Sequence, residues 1–293
     1  METLLKYFIG YIDSFNKIKC EKQQEKFAYN IIKIIWFVNS MKKNKYTSEF
    51  NKIYKKLDNK KIYEIYESMS SYKKSFDEKE KFDLNELEYM KNIIKYISTN
   101  DELIYERNGN MTSLENYIGK INYEYYMNKV DIIVSHNIES CCLYLVDTNL
   151  IFIEKFDIPT ILHEVMHVNK FHEKYSEFAS ILAELSYCSY YKIGDSGYRL
   201  NDIEYIKRLS SSKFRKNNRE KYIVEFEYCL GTLLSIPFIY KNGNSFKNVE
   251  EVIKIINNYQ DNDIFYIMNK LNLSNSDIID GFKNYRKILT KGE

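Results

Sequence analysis

The chain has 293 residues and a net charge of +2, with 43 Lys and Arg against 41 Asp and Glu. That balance leaves no electrostatic footprint for nucleic acid, while the length suffices for one large domain or two small ones with a real core. Only 9 Gly and 2 Pro argue against a loop-rich or many-stranded fold, and the abundance of Lys, Glu, Leu and Ile predicts mostly helix.

The first 22 residues, METLLKYFIGYIDSFNKIKCEK, lack the basic start, apolar run and small-residue cleavage site of a signal peptide. No segment reaches the ~18 apolar residues of a membrane span. The nearest, IIKIIWFV (31–38), is broken by Lys33 and is expected to be a buried helix. Residues 1–127 are predicted as an N-terminal helical region, with breaks at 42–48, 56–61, 71–83 and 98–101 and a turn at ERNGN (106–110). In DLNELEYMKNIIKYI (83–97), Leu84, Leu87, Met90, Ile93, Ile94 and Ile97 lie on one helical side. Interleaved charge such as KKSFDEKEK (73–81) is expected to be solvated surface.

The pattern changes at 128. VDIIVSH (130–136) and CCLYLVDTNLIFIE (141–154) are β-branched and aromatic, with a turn near Asp147–Asn149. They predict two or three short strands, with a hairpin among them. LIFIE is expected either to be a buried strand or to pair with an extended peptide. Helical periodicity resumes at Pro159, where Asp157 or Thr160 can cap, and continues almost to the end. The expected organisation is a single compact domain, in which 128–293 carries the chemistry. The five cysteines are odd in number, two are adjacent and none form CxxC, which fits neither a disulfide framework nor a thiolate zinc knot. A reducing, cytoplasmic setting is expected.

That chemistry centres on ILHEVMHVNKFHEKYSEFASILAEL (161–185), which contains H-E-x-x-H as His163, Glu164 and His167. Residues i and i+4 share a helix face, so both imidazoles can reach one Zn²⁺. Glu164, rotated by ~100°, flanks the metal without binding it. There it is the base for a zinc-bound water and the acid for the leaving amine. In one straight helix, Glu177 would lie ~15 Å beyond His167, and Glu173 ~9 Å away and wrongly rotated. The chain must therefore turn back at NKFHEKYS (169–176), with Asn169 ending one helix and Ser176 capping the next. In the second helix Phe178, Ile181, Leu182 and Leu185 form a core stripe, and Glu177, Glu184 and Cys188 share a neighbouring face. A turn near Phe171 brings Glu177 level with the histidines; a turn near Lys174–Tyr175 brings Glu184. Spacing leaves both open.

EFASILAE (177–184) resembles the E-x-x-S-x-x-x-E helix that follows H-E-x-x-H in the thimet oligopeptidase / oligoendopeptidase F family of zinc metallopeptidases, and the strand, short loop and helix leading into the motif are also similar. The resemblance implies Glu177 as third ligand and Glu184 as a residue orienting a histidine. FEYCLGTLLSIPFI (226–239) resembles the family's Tyr-x-x-Gly helix, which implies Tyr228 as oxyanion donor. The resemblance covers about 140–240; the family's histidine upstream of that tyrosine has no counterpart, since no His follows His172.

The expectation is thus a mainly α protein with a small β-sheet before the active helix, a zincin-like peptidase of the gluzincin kind holding one Zn²⁺ and cleaving peptide substrates that enter a cleft between helical halves, without nucleic-acid or membrane partners. Two alternatives stand beside it: a regulatory protease specific for one protein, with 1–127 as recognition part, and an inactive zinc-binding interaction protein. Outside the motif, His172 is expected in the turn, His136 as a hydrogen-bonded structural residue, Cys188 as a small buried thiol, and 210–221 as a solvated basic loop.

Overall fold

Helix-forming composition gives a mainly helical chain with one small sheet. The computed structural model describes residues 2–18, 21–40, 45–55, 59–68, 84–97, 110–135, 140–145, 148–169, 173–195, 199–209, 219–258 and 263–290. The expected breaks at 71–83 and 98–101, the turn at 106–109, His136, His172 and the basic loop at 210–218 lie outside the described residues. The chain divides into two compact units, Met1–Glu80 with Tyr126–Phe156, and Lys81–Tyr125 with Asp157–Glu293.

The first unit contains α1 (Glu2–Lys17), α2 (Glu21–Ser40), α3 (Lys45–Tyr54) and α4 (Asn59–Ser68), with strands β1 (Val130–Val134), β2 (Cys141–Tyr144) and β3 (Asn149–Ile153). α3 begins inside the break expected at 42–48. Leu4, Phe8, Ile12 and Phe15 of α1 and Ala28, Ile31, Ile35 and Val38 of α2 recur at helical spacing and share one core with Leu150 and Phe152 of β3. Within IIKIIWFV, Ile31, Ile32, Ile34, Ile35 and Val38 are buried but Trp36 is exposed, so the run is the apolar side of an amphipathic helix rather than a wholly buried one. The sheet order is β1-β3-β2, with β1 parallel and β2 antiparallel to β3. The hairpin is therefore β2–β3. LIFIE is the central strand, with both edges already paired and Leu150 to Ile153 buried, so of its two expected roles it fills the buried one and offers no edge to a peptide.

The second unit contains α5 (Leu84–Ile94), α6 (Met111–Ile118), most of α7 (Lys120–Met127), α8 (Ile158–Met166) with a 3-10 turn over His167–Asn169, α9 (Glu173–Tyr191), α10 (Arg199–Leu209), α11 (Arg219–Asn242), α12 (Phe246–Asn257), α13 (Ile264–Lys270), α14 (Asn275–Lys283) and α15 (Tyr285–Leu289). α9 is buried on nearly every side, with Phe178, Ala179, Ile181, Leu182, Ala183, Leu185, Tyr187 and Cys188 among its buried residues. Such a helix belongs in the interior, and it packs against α8, α11 and α12. Gly231 lets α11 come close to it: a Cβ there would lie 2.8 Å from Ile181 Cδ1 and 3.1 Å from both the Glu177 carbonyl oxygen and Phe178 Cα. Pro237 inside α11 is met in the same way by Gly281 of α14, where a Cβ would sit 2.7 Å from Pro237 Cα. Among the described residues, no helix is long and apolar enough to cross a membrane.

Candidate metal centre

α8 starts where the sequence predicts, with Asp157 at its N-cap and Pro159 in its first turn. The cap differs from expectation. Asp157 makes no side-chain bond to the helix backbone, and its carboxylate instead accepts the hydroxyl of Thr160. α8 then carries His163 and Glu164 inside and His167 at its end, all buried.

α9 begins at Glu173 and packs back against α8. Ser176 is therefore not a cap: it lies inside α9, and its Oγ sits 2.8 Å from His167 Nδ1. Ser180 Oγ lies 3.3 Å from the same nitrogen. On an ideal helix Ser176, Ser180, Glu184 and Glu177 fall within an arc of ~100°. That face meets the two histidines of α8, and the early start of α9 is the register that brings Glu177 level with them. Cys188 is buried, as a small apolar thiol would be.

Glu177 Oε2 lies 3.3 Å from His163 Nε2, and Glu177 Oε1 lies 3.5 Å from His167 Nε2. One ligand atom from each of the three residues lies within 4.8 Å of the other two. A tetrahedral ion with bonds of about 2.0–2.2 Å has ligand–ligand edges of about 3.3–3.6 Å, so both distances are of the right size. Glu177 Oε2 is buried and has no hydrogen-bond partner among the described residues, despite its proximity to His163 Nε2. A buried acceptor left without a donor is costly; a cation between it and the imidazoles removes that cost. The other ring nitrogens are already engaged. His163 Nδ1 is 3.0 Å from Glu184 Oε2, and His167 Nδ1 has the two serines. Both Nε2 atoms are thereby left for the common ligand position, and the residues present fit a divalent metal.

Ionisable groups crowd the site in the absence of a metal. Glu164, Glu177, Glu184 and Asp202 are gathered about one buried guanidinium, that of Arg199. Burial would lower the pKa of His163, but Glu177 and Glu184 outweigh it and raise it to about 10. Burial, helped by the neighbouring His163, lowers His167 to about 4 against the pull of Glu177. Burial opposes ionisation of Glu177, yet His167, His163 and Arg199 bring it down to about 2. Glu164 goes the other way, pushed up to about 7 by burial and by the Glu177 and Glu184 carboxylates.

Tyr228 of α11 stacks on His163, with ring centroids 6.1 Å apart and planes at 6°. It thus joins the same cluster, three residues before the glycine that admits α11 to α9. Sequence reasoning missed Ser176 as a partner of His167, although a helical wheel puts it on the Glu177 side. It also missed Arg199, Asp202 and Thr232. Arg199 donates to Glu184 Oε2 and to Asp202 Oδ2, and Thr232 Oγ1 donates to Asp202 Oδ2 at 3.0 Å. Arg199 and Asp202 at i and i+3 look like any exposed helical pair, so no local signal marks them. Comparisons with protein-family models, curated proteins and solved structures return no match for this chain.

Proposed function

We propose that the protein is a zinc-dependent metallopeptidase similar to the thimet oligopeptidase / oligoendopeptidase F family, with His163, His167 and Glu177 as ligands. One observation carries this reading: two imidazoles from an H-E-x-x-H helix turn Nε2 toward one carboxylate while their Nδ1 atoms are held elsewhere. Two histidines and a glutamate form a donor set suited to catalytic zinc, which leaves a coordination position open. When bound, Zn²⁺ supplies a Lewis acid that acidifies water and polarises a carbonyl.

The chain's own residues do the rest. Glu164, next to His163 on α8 and buried with it, takes the proton of the attacking water and returns it to the leaving amine. Tyr228, against the His163 ring, donates its hydroxyl to the developing oxyanion. Glu184 and Ser176 fix the two imidazoles. The substrate class is an oligopeptide or a flexible protein segment. The five cysteines, with no CxxC among them, fit a cytoplasmic setting.

The test is a pair of measurements on zinc-loaded protein: metal content, and turnover of a mixed library of internally quenched peptides. Wild type is expected to hold one zinc per chain and to cleave. Glu164→Gln is expected to keep the zinc and lose cleavage by about 10²–10⁴-fold, the usual contribution of general acid–base catalysis. A Glu164→Gln protein as active as wild type would end the catalytic assignment, and a zinc-loaded wild type that cleaves no peptide would make this a binding protein.

A further inference from the structure

The contacts around His163 extend past Glu184. Glu184 Oε2, the oxygen 3.0 Å from His163 Nδ1, also accepts from Arg199 Nη2. Arg199 opens α10 and is buried, at 7% exposure. Its second terminal nitrogen, Nη1, donates to Asp202 Oδ2 at 3.1 Å, and Thr232 anchors that carboxylate from α11. The guanidinium also lies 5.7 Å from the centroid of the Tyr228 ring, which stacks on His163. Arg199 therefore reaches that imidazole through Glu184 without touching it.

We propose that Arg199 is a positioning residue for the metal centre, holding Glu184 against His163 Nδ1 so that Nε2 stays aimed at Glu177. The inference rests on the metallopeptidase reading. A carboxylate only accepts hydrogen bonds, so its oxygen at Nδ1 calls for the proton there and leaves the Nε2 lone pair for a ligand role. Held by His163 alone, that oxygen could swing with the glutamate's torsions; bonded also to a guanidinium that is itself anchored, it cannot. The planar fork serves two carboxylates with two separate nitrogens, which an ammonium point charge does not reproduce.

Two effects of the guanidinium on a nearby cation oppose each other. Its charge repels a metal, whereas its grip on Glu184 organises the site. The Glu184 and Asp202 carboxylates flank that charge directly, so little of it is left uncompensated, and positioning wins.

The experiment measures the zinc dissociation constant by chelator competition for wild type, Arg199→Met, Arg199→Lys, Asp202→Asn, Glu184→Gln and the Arg199→Met/Glu184→Gln pair. Thermal midpoints of the metal-free proteins and the visible spectra of cobalt-loaded ones are recorded alongside. Loss of an outer partner of a ligating histidine weakens metal binding about 10–100-fold. Arg199→Met is expected in that range with an altered cobalt spectrum, Arg199→Lys is expected to restore part of the loss, and Asp202→Asn to lose several-fold. The double variant is expected to match Glu184→Gln alone, because Arg199 acts through Glu184. Should Arg199→Met not fold, Arg199→Lys and Asp202→Asn decide: both binding zinc as tightly as wild type would overturn the proposal. Unchanged or tighter binding by Arg199→Met, or additive losses in the pair, would overturn it too. A wild type that binds no zinc would instead bring down the metallopeptidase reading itself.

Discussion

Glu177→Ala is the perturbation that bears most directly on the metal centre. Its carboxylate stands 3.3 and 3.5 Å from the two Nε2 atoms, whereas Glu184 meets His163 on the opposite side of the ring, at Nδ1. The two glutamates should therefore differ in kind. Structural zinc sites bind with about 10–16 kcal/mol shared among four ligands, or about 2.5–4 kcal/mol each. At about 1.4 kcal/mol per tenfold change, Glu177→Ala should raise the zinc dissociation constant by about 10²–10³. Glu184→Gln removes a partner of a ligand rather than a ligand, so its loss should stay within about 10–100-fold. Titration of each metal-free variant against a chromophoric chelator reads both values on one scale, and the thermal midpoint reports whether the fold survives. Equal losses in the two variants, or a larger loss for Glu184→Gln, would refute the assignment of Glu177 as ligand.

Other outcomes follow from the same geometry. Tyr228→Phe should keep the zinc and the KM but lower kcat by about 10²–10³, the usual cost of one oxyanion donor; steady-state kinetics on a cleaved peptide would expose a purely packing role if kcat stayed unchanged. Gly231→Ala should destabilise the protein by about 1–3 kcal/mol in a urea titration, as overpacking does. Ile181 Cδ1 can move aside, but the backbone at Glu177 and Phe178 must yield as well, so zinc affinity should fall in the same variant. In α14, Asp277 accepts from Ser274 and Lys241, and these bonds, those of Ser274 first, hold its carboxyl down at about 2. A carboxyl depressed in the folded state stabilises above its unfolded pKa and ceases to do so as pH falls through the folded one. The stability gap between wild type and Asp277→Asn should thus close between about pH 4 and pH 2; a gap independent of pH would contradict it.

Local chemistry made part of this protein legible in its sequence. H-E-x-x-H places His163 and His167 on one helix face whatever surrounds them, because i and i+4 coincide on any α-helix. The ~15 Å from His167 to Glu177 in a straight helix forces a reversal, whatever the fold. The β-branched runs at 130–153 announce a small sheet, because alternating side chains suit a pleated surface. Tertiary structure decided the rest. Which glutamate meets the Nε2 atoms depends on how α9 buries its apolar residues against α8, α11 and α12. Gly231 fixes how closely α11 approaches the Glu177 backbone, and so brings Tyr228 onto His163. Ser176, a cap by local pattern, becomes a histidine partner once α9 starts at Glu173, four residues earlier than that cap implies. Arg199, Asp202 and Thr232 carry no local mark, since the contacts that tie the Arg199–Asp202 pair into the site, to Glu184 and to Thr232, span 15 and 30 residues of chain. A buried charge network of that kind exists only where packing has already excluded water and left each group dependent on the others.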